Sequence, residues 1–453
     1  MSLRNCFRPF ARRTTLGVAL MALWLSAPPD ASAQFVAQQV GGVSIDAHGV
    51  VTNVRVDEFN QLKQQREQAL RPVPGDLKAA ALRKISLRQL EAAIAEHRAG
   101  GTPLSDDMRY LAGLQRIQYV FVYPEHNDIV LAGPGEGWKL GAQGEVVGIT
   151  TNRPVMLLDD LLVALRSIEE QKQSLISCSI DPSGDGLARL QALYKKTRSI
   201  DDGDPSGLMA AVEKTLGPQT ITVTGVPETS HFARVMVAGD YRMKRLAMAF
   251  EASPISGLPD FLQMIKTSGK APKTMLPRWW LAPAYDALLA DPEGLAWELR
   301  KAGVKALTEE ETLNAAGERQ RTGQANPLAK KWADNMTAHY DELSTKEIIF
   351  GQLRNCMDLA VVAALISKEH LTEKCSWSMP LLLNPELPVE QYNAPRQVDS
   401  QASAVQKGTN WIISASGGVQ IDPWQPLEKP TPSPALSSAR AKAAAPGTSW
   451  WWN

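Results

Sequence analysis

Polar and apolar positions alternate through residues 40–56, as in Val43 to Asp46 and Val50 to Val56, with turn-type glycines between them. Two short strands are expected there. The period then changes. Ser86-Leu87-Arg88-Gln89 is a capping box, in which Ser86 bonds the Gln89 N–H and the Gln89 side chain reaches back, with Ile85 and Leu90 at staple positions. Leu87, Leu90 and Ile94 mark one helix face, and Gly100-Gly101 ends the helix. Runs of β-branched and aromatic residues at Ile117 to Tyr123, Asp128 to Ala132 and Glu145 to Thr150 predict three strands. Helices are expected over residues 157–168, 187–194, 208–216 and 232–247, with strands at 175–180 and 221–226. Gly239 weakens the middle of the last helix by about 1 kcal/mol. Beyond residue 277, short strands (279–285, 295–300, 304–307 and 410–415) surround two helices at 328–343 and 350–368.

This order predicts a mixed α/β or α+β fold, with helices packed on short-stranded sheets. The Lys-, Pro-, Gly- and Ser-rich stretch 266–277 reads as a linker between two subdomains, an N-terminal α/β domain (34–265) and a C-terminal α+β domain (278–425). Residues 426–453 read as a disordered tail ending in Trp450-Trp451-Trp452. One hexapeptide echoes along the chain: Gly41 to Asp46 (GGVSID) returns as Gly417 to Asp422 (GGVQID), as matching edge strands would. No longer repeat points to a solenoid or propeller.

Residues 1–33 have the form of a secretory signal. Arg4, Arg8, Arg12 and Arg13 precede an apolar run from Leu16 to Leu25, and Ala31-Ser32-Ala33 offers a cleavage site before Gln34. Export to the periplasm or the extracellular space is the expectation, with no transmembrane anchor left after cleavage. The whole chain has 48 basic and 48 acidic residues, and removal of residues 1–33 leaves 44 and 47. A near-neutral chain gives no electrostatic reason to expect nucleic acid as a partner.

Candidate chemistry is sparse. No histidine pair has zinc-ligand spacing, and no metal or cofactor is expected. His231 follows Ser230 at a helix start, where it serves either as a general base or as a packing residue. Cys178 lies in a strand between Ser177 and Ser179, either as a nucleophile or as a buried thiol. Cys356 and Cys375 are a possible disulfide. Asp240, Arg242, Lys244 and Arg245 form a charged helix patch able to hold an anion. Arg278, Trp279 and Trp280 offer a cation and a stacking surface to a glycan or peptide. Arg354 and Asp358 have i,i+4 spacing and are expected to pair.

Longer strings then become informative. MRYLAGLQRIQYVFVY (108–123), DIVLAGPGEGW (128–138), ISCSIDP (176–182), SHFAR (230–234), DYRMKRL (240–246), PRWWLAP (277–283), GQLRNCMDL (351–359) and WIISASGGVQID (411–422) together resemble a family of secreted planctomycete proteins of unknown function. The resemblance runs from about Val40 to Trp424. It implies export and a single extended unit, and it carries over no catalytic residue. The expected function is a non-catalytic binding or structural component of the periplasm or cell envelope, partnered by an envelope protein, peptide or glycan. An exported hydrolase using His231 or Cys178 is the alternative.

Overall fold

Segments that alternate Val or Ile with Ser or Thr become strands because one face can be buried while the other stays wet. The computed structural model describes residues 39–40, 42–53, 77–141, 144–171, 174–196, 204–268, 277–301, 303–309, 311–313, 319–321, 324–407, 409–443 and 451–453. The expected signal segment therefore lies outside the described residues.

In chain order the strands of the two large sheets begin with β1 (Gln39–Val40), β2 (Val43–Ile45), β3 (Val50–Asn53), β4 (Ala80–Ser86), β5 (Tyr119–Tyr123), β6 (Asp128–Gly135), β7 (Ile176–Pro182) and β8 (Gln219–Thr224). They continue with β9 (Arg278–Ala284), β10 (Leu289–Ala290), β11 (Ala296–Glu298), β12 (Gly303–Thr308), β13 (Gln397–Val398), β14 (Ser416–Ile421) and β15 (Thr431–Pro432). The helices used below are α1 (Leu87–Ala99), α2 (Leu158–Glu170), α3 (Gly184–Lys196), α4 (Ser206–Leu216), α5 (His231–Ala247), α6 (Phe261–Thr267), α7 (Pro327–Ala338), α8 (Tyr340–Lys346), α9 (Ile348–Lys368) and α10 (Ala435–Ala443).

The mixed α/β class is as expected. One nine-stranded sheet runs β1-β2-β3-β13-β8-β7-β14-β9-β12, and a six-stranded sheet runs β15-β10-β11-β5-β6-β4. Most pairs are antiparallel, whereas β14–β9, β13–β3 and β10–β15 are parallel. Half of the expected capping box forms: the Ser86 hydroxyl accepts the Gln89 N–H at 3.0 Å and α1 ends at Gly100, but the Ser86 N–H donates to the Trp451 carbonyl at 2.8 Å rather than to the Gln89 side chain.

In β7, Ile176, Cys178 and Ile180 are buried while Ser177, Ser179 and Asp181 are not. In β8, Ile221 and Val223 face inward and Thr220, Thr222 and Thr224 face solvent. The inward face of β7, with its neighbour β14, meets α5, which packs on α9. Gly239 has a use here, because a Cβ at that position would lie 3.1 Å from a Leu353 methyl. The glycine that weakens α5 locally allows the two helices to approach. By length and composition α9 is apolar enough to cross a membrane, yet 89% of that span is buried inside the protein.

Two charges sit inside this core helix, and they do not pair with each other as the i,i+4 spacing suggests. Asp358, fully buried, accepts Arg116 Nε at 3.1 Å and Nη2 at 3.0 Å, the Ile117 N–H at 3.2 Å and the Tyr285 hydroxyl at 2.5 Å. Arg354 instead donates to Asp341 of α8 at 2.8 Å.

Three further expectations are corrected. Residues 39–453 form one compact unit, and the 266–277 stretch does not separate two cores. β9, from the far side of that stretch, pairs with β14, and β14 pairs with β7. The 426–453 tail is not loose where it is described. β15 pairs with β10, Leu436 and Ala443 of α10 are buried, and Arg440 donates to the Val122 carbonyl at 2.7 Å. Its low hydrophobic content is enough because the helix covers an existing sheet rather than building a core. The echoed hexapeptides are not matching edges, since β14 is central and β2 lies beside the terminal strand β1.

Candidate functional site

His231 opens α5. The Ser230 hydroxyl caps that helix by accepting the Ala233 N–H at 3.1 Å and donates to the Pro227 carbonyl at 2.7 Å. The His231 Nδ1 meets both carboxylate oxygens of Asp160, from α2, at 2.9 and 3.1 Å. Both side chains are 7% exposed. Burial opposes charge on the ring, but the Asp160 carboxylate and its hydrogen bond outweigh it, so the His231 pKa is raised above 6.5. The Cys356 thiol approaches Asp160 at 4.0 Å. Among the described residues no serine or cysteine side chain is hydrogen-bonded to the imidazole, so the base–orienter half of a triad has no nucleophile attached.

A raised histidine pKa has a definite stability signature. The stabilisation from the His231–Asp160 pair is fully present below the unfolded histidine value, near pH 6.5, and is lost as pH rises through the higher folded value. The stability gap between wild type and Asp160→Asn, read from urea unfolding, is therefore expected to be larger at pH 6 than at pH 9. A gap independent of pH would disprove the coupling.

The cysteines Cys178, Cys356 and Cys375 are all unbridged and buried, which corrects the expected Cys356–Cys375 disulfide. Cys356 faces Asp160, whereas the Cys375 thiol donates to the Asp128 carbonyl at 3.2 Å. Burial pushes the Cys375 thiol up to about 11. Cys178 lies on the inner face of β7, where burial and the nearby Asp240 carboxylate raise its pKa strongly. A nucleophilic thiol needs the opposite shift.

Each cation of the charged patch on α5 already has a carboxylate partner, although one Asp240 oxygen and the Arg242 Nε make no hydrogen bond. Lys244 donates to Asp240 at 2.7 Å and to the Ile180 carbonyl at 3.1 Å. Arg242 pairs with Glu251 at 2.9 Å and with Glu347 at 2.8 Å. Arg245 pairs with Glu251 and donates to Gln401 at 3.1 Å. An anion would have to displace a carboxylate already in place. The four residues are a brace between α5 and its neighbours.

Arg278, Trp279 and Trp280 divide by strand alternation. Trp279 is fully buried against Phe261 and Trp332, with ring centroids 5.0 and 4.9 Å away. Trp280 and Arg278 point to the opposite, open face of the sheet and are half-buried. There they line a cleft of about 250 Å³ together with Leu175, Ser177, Ser179, Gly418 and Gln420. Register explains the hollow. Gly418 sits between Trp280 on β9 and Ser179 on β7, so no side chain fills the centre of the row. Trp280 walls one side and the two serines the other. Arg278 lies 3.5 Å from Asp181. Exposed Thr220, Thr222 and Thr224 extend the polar surface across β8.

Sequence reading found Trp280 and Arg278 but missed Ser177, Ser179, Gly418 and Gln420. The alternation of ISCSI carried the signal for the serines. Nothing local showed that Gly418 would lie between them and Trp280. Among the described residues, no group of three His, Cys, Asp or Glu side chains is placed to hold a metal ion.

The fold and this surface define a mixed α/β protein with one covered and one open sheet face. Residues 178–261, from β7 to the start of α6, match a family described as protein of unknown function (DUF1598). No curated protein and no solved structure matches the chain. Cys178, His231 and the α5 brace fall inside the matched segment, whereas Trp280, Gly418 and Gln420 fall outside it.

Proposed function

We propose that the chain is an exported, non-catalytic binding protein that holds an uncharged glycan on the open face of its nine-stranded sheet. The observation that carries this reading is the cleft beside Trp280, with a half-buried indole opposite Ser177 and Ser179 over a glycine floor. A pyranose has an apolar face suited to an indole and hydroxyls suited to serine and glutamine side chains. Asp181 already faces the Arg278 guanidinium, which favours a neutral ligand over an acidic one. Export is supported by the signal-like residues 1–33.

Affinity electrophoresis of the purified protein through gels containing neutral polysaccharides tests the binding. Retardation is expected with at least one of them. Trp280→Ala should weaken it about 30-fold, as loss of a tryptophan hot spot of about 2 kcal/mol would. Retardation that survives Trp280→Ala unchanged would refute the site, and no retardation by any neutral glycan would refute the ligand class. Export predicts a periplasmic or extracellular form beginning at Gln34, and detection of only the full-length chain in the cytoplasm would refute it.

The hydrolase reading rests on the His231–Asp160 contact at 2.9 Å. Its general base is enclosed, and the neighbouring Cys356 thiol has its pKa raised well above the usual value by burial and by Asp160. That combination disfavours nucleophilic use.

A further inference from the structure

The six-stranded sheet ends in β4, whose outer edge has no strand of that sheet beside it. An open edge is a template for another extended segment. Here the template is filled by the chain's own residues 451–453. Trp452 stands opposite Ile85 in an antiparallel bridge. The Ser86 N–H donates to the Trp451 carbonyl at 2.8 Å, and the Asn453 N–H donates to the Lys84 carbonyl at 3.3 Å. The Lys84 N–H, a second outward donor, goes to the Asn453 side-chain oxygen at 3.0 Å.

Side chains make the contact selective. Arg83 is 2% exposed although it belongs to an edge strand. Its guanidinium lies over the Trp452 ring at 5.2 Å and donates to the Asn453 backbone oxygen at 2.5 Å and to the Lys78 carbonyl at 2.7 Å. Trp451 and Trp452 also pack on the main core. A buried arginine held between an indole and two backbone oxygens is a built receptor, because the segment supplies two of those three contacts, the ring of Trp452 and an oxygen of Asn453.

We propose that the outer edge of β4 is a peptide-binding site for an extended aromatic-aromatic-Asn segment, and that residues 451–453 occupy it in cis as a built-in competitor. Binding follows strand addition: the backbone of β4 supplies affinity, and Arg83 with Ile85 supplies selectivity for tryptophan at the middle position. A segment presented by another protein gains access when the resident one leaves.

The test is fluorescence anisotropy with a labelled peptide of residues 448–453. The full chain should bind it weakly, whereas a chain ending at Ala443 should bind it at least tenfold more tightly. A peptide carrying Trp452→Ala should lose that gain. The proposal is overturned if the shortened chain unfolds cooperatively but binds no peptide, or if it binds both peptides equally. Should the shortened chain fail to fold, Trp452→Ala in the full chain loosens the resident segment instead. It should raise binding of the unaltered peptide at least tenfold, and no rise overturns the proposal. Glycan retardation by the Trp280 cleft is unaffected by either result.

Discussion

Asp358→Ala is expected to lower the unfolding free energy by about 3–5 kcal/mol, the usual cost of removing one member of a buried ion pair. The carboxylate is fully buried and takes four donors: two from Arg116, the Ile117 N–H and the Tyr285 hydroxyl. Those donors come from the start of the β5 approach and from the end of β9, so one side chain on α9 ties both large sheets to the core helix. Truncation leaves the Arg116 guanidinium desolvated without its counter-charge. The Asp358 charge is also what holds the Arg116 pKa above its usual value against burial, and the Tyr285 hydroxyl is held far above its own range by burial and by that carboxylate. Urea unfolding gives the loss as a lower midpoint at unchanged slope. Asp358→Asn keeps shape and some acceptor capacity and should fall between the two. The double change Arg116→Met with Asp358→Leu removes both charges and should recover much of the loss. A loss below about 1 kcal/mol for Asp358→Ala would show that the network is not structural.

How far the sequence revealed this arrangement depends on the range of the interaction. Elements governed by local rules were legible. The Ser86 cap, the ISCSI alternation and the long apolar segment of α9 appear near their expected positions because capping and amphipathic period act over a few residues. Partner choice was not legible. Arg354 and Asp358 have ideal helical spacing, yet each turns to a residue brought close by the fold, Asp341 and Arg116. The tail misled for a related reason: composition predicts whether a segment can build its own core, not whether it can lie along an edge left open by β4. The cleft beside Trp280 was half legible. Trp280 stood out as an aromatic beside a cation, but its floor required knowing that Trp280 and Gly418, 138 residues apart, lie side by side in register.

The glycine that precedes that floor on β14 carries the other large expected effect. Gly417→Ala should destabilise the protein by at least about 3 kcal/mol, combining backbone strain with overpacking. Gly417 has φ +145°, a region open essentially to glycine, and an added Cβ would fall 1.6 Å from the Trp279 carbonyl oxygen. Gly418 is constrained from the other side, where its Cβ would lie 2.0 Å from the Cys178 carbonyl oxygen. The consecutive glycines thus let β14 sit between β7 and β9, and the same lack of side chains leaves the hollow beside Trp280. Gly101→Ala separates strain from crowding. Gly101 also has positive φ, +63°, but nothing lies within 4 Å of a Cβ there, so it should cost only about 1–2 kcal/mol. Equal losses at the two positions would show that close strand approach contributes nothing. The echoed hexapeptide sharpens the contrast. Gly42, with φ +75°, serves the turn between β1 and β2, whereas Gly417 serves the middle of the same sheet. One short string therefore meets two different physical demands, a tight turn in the first copy and close strand approach in the second.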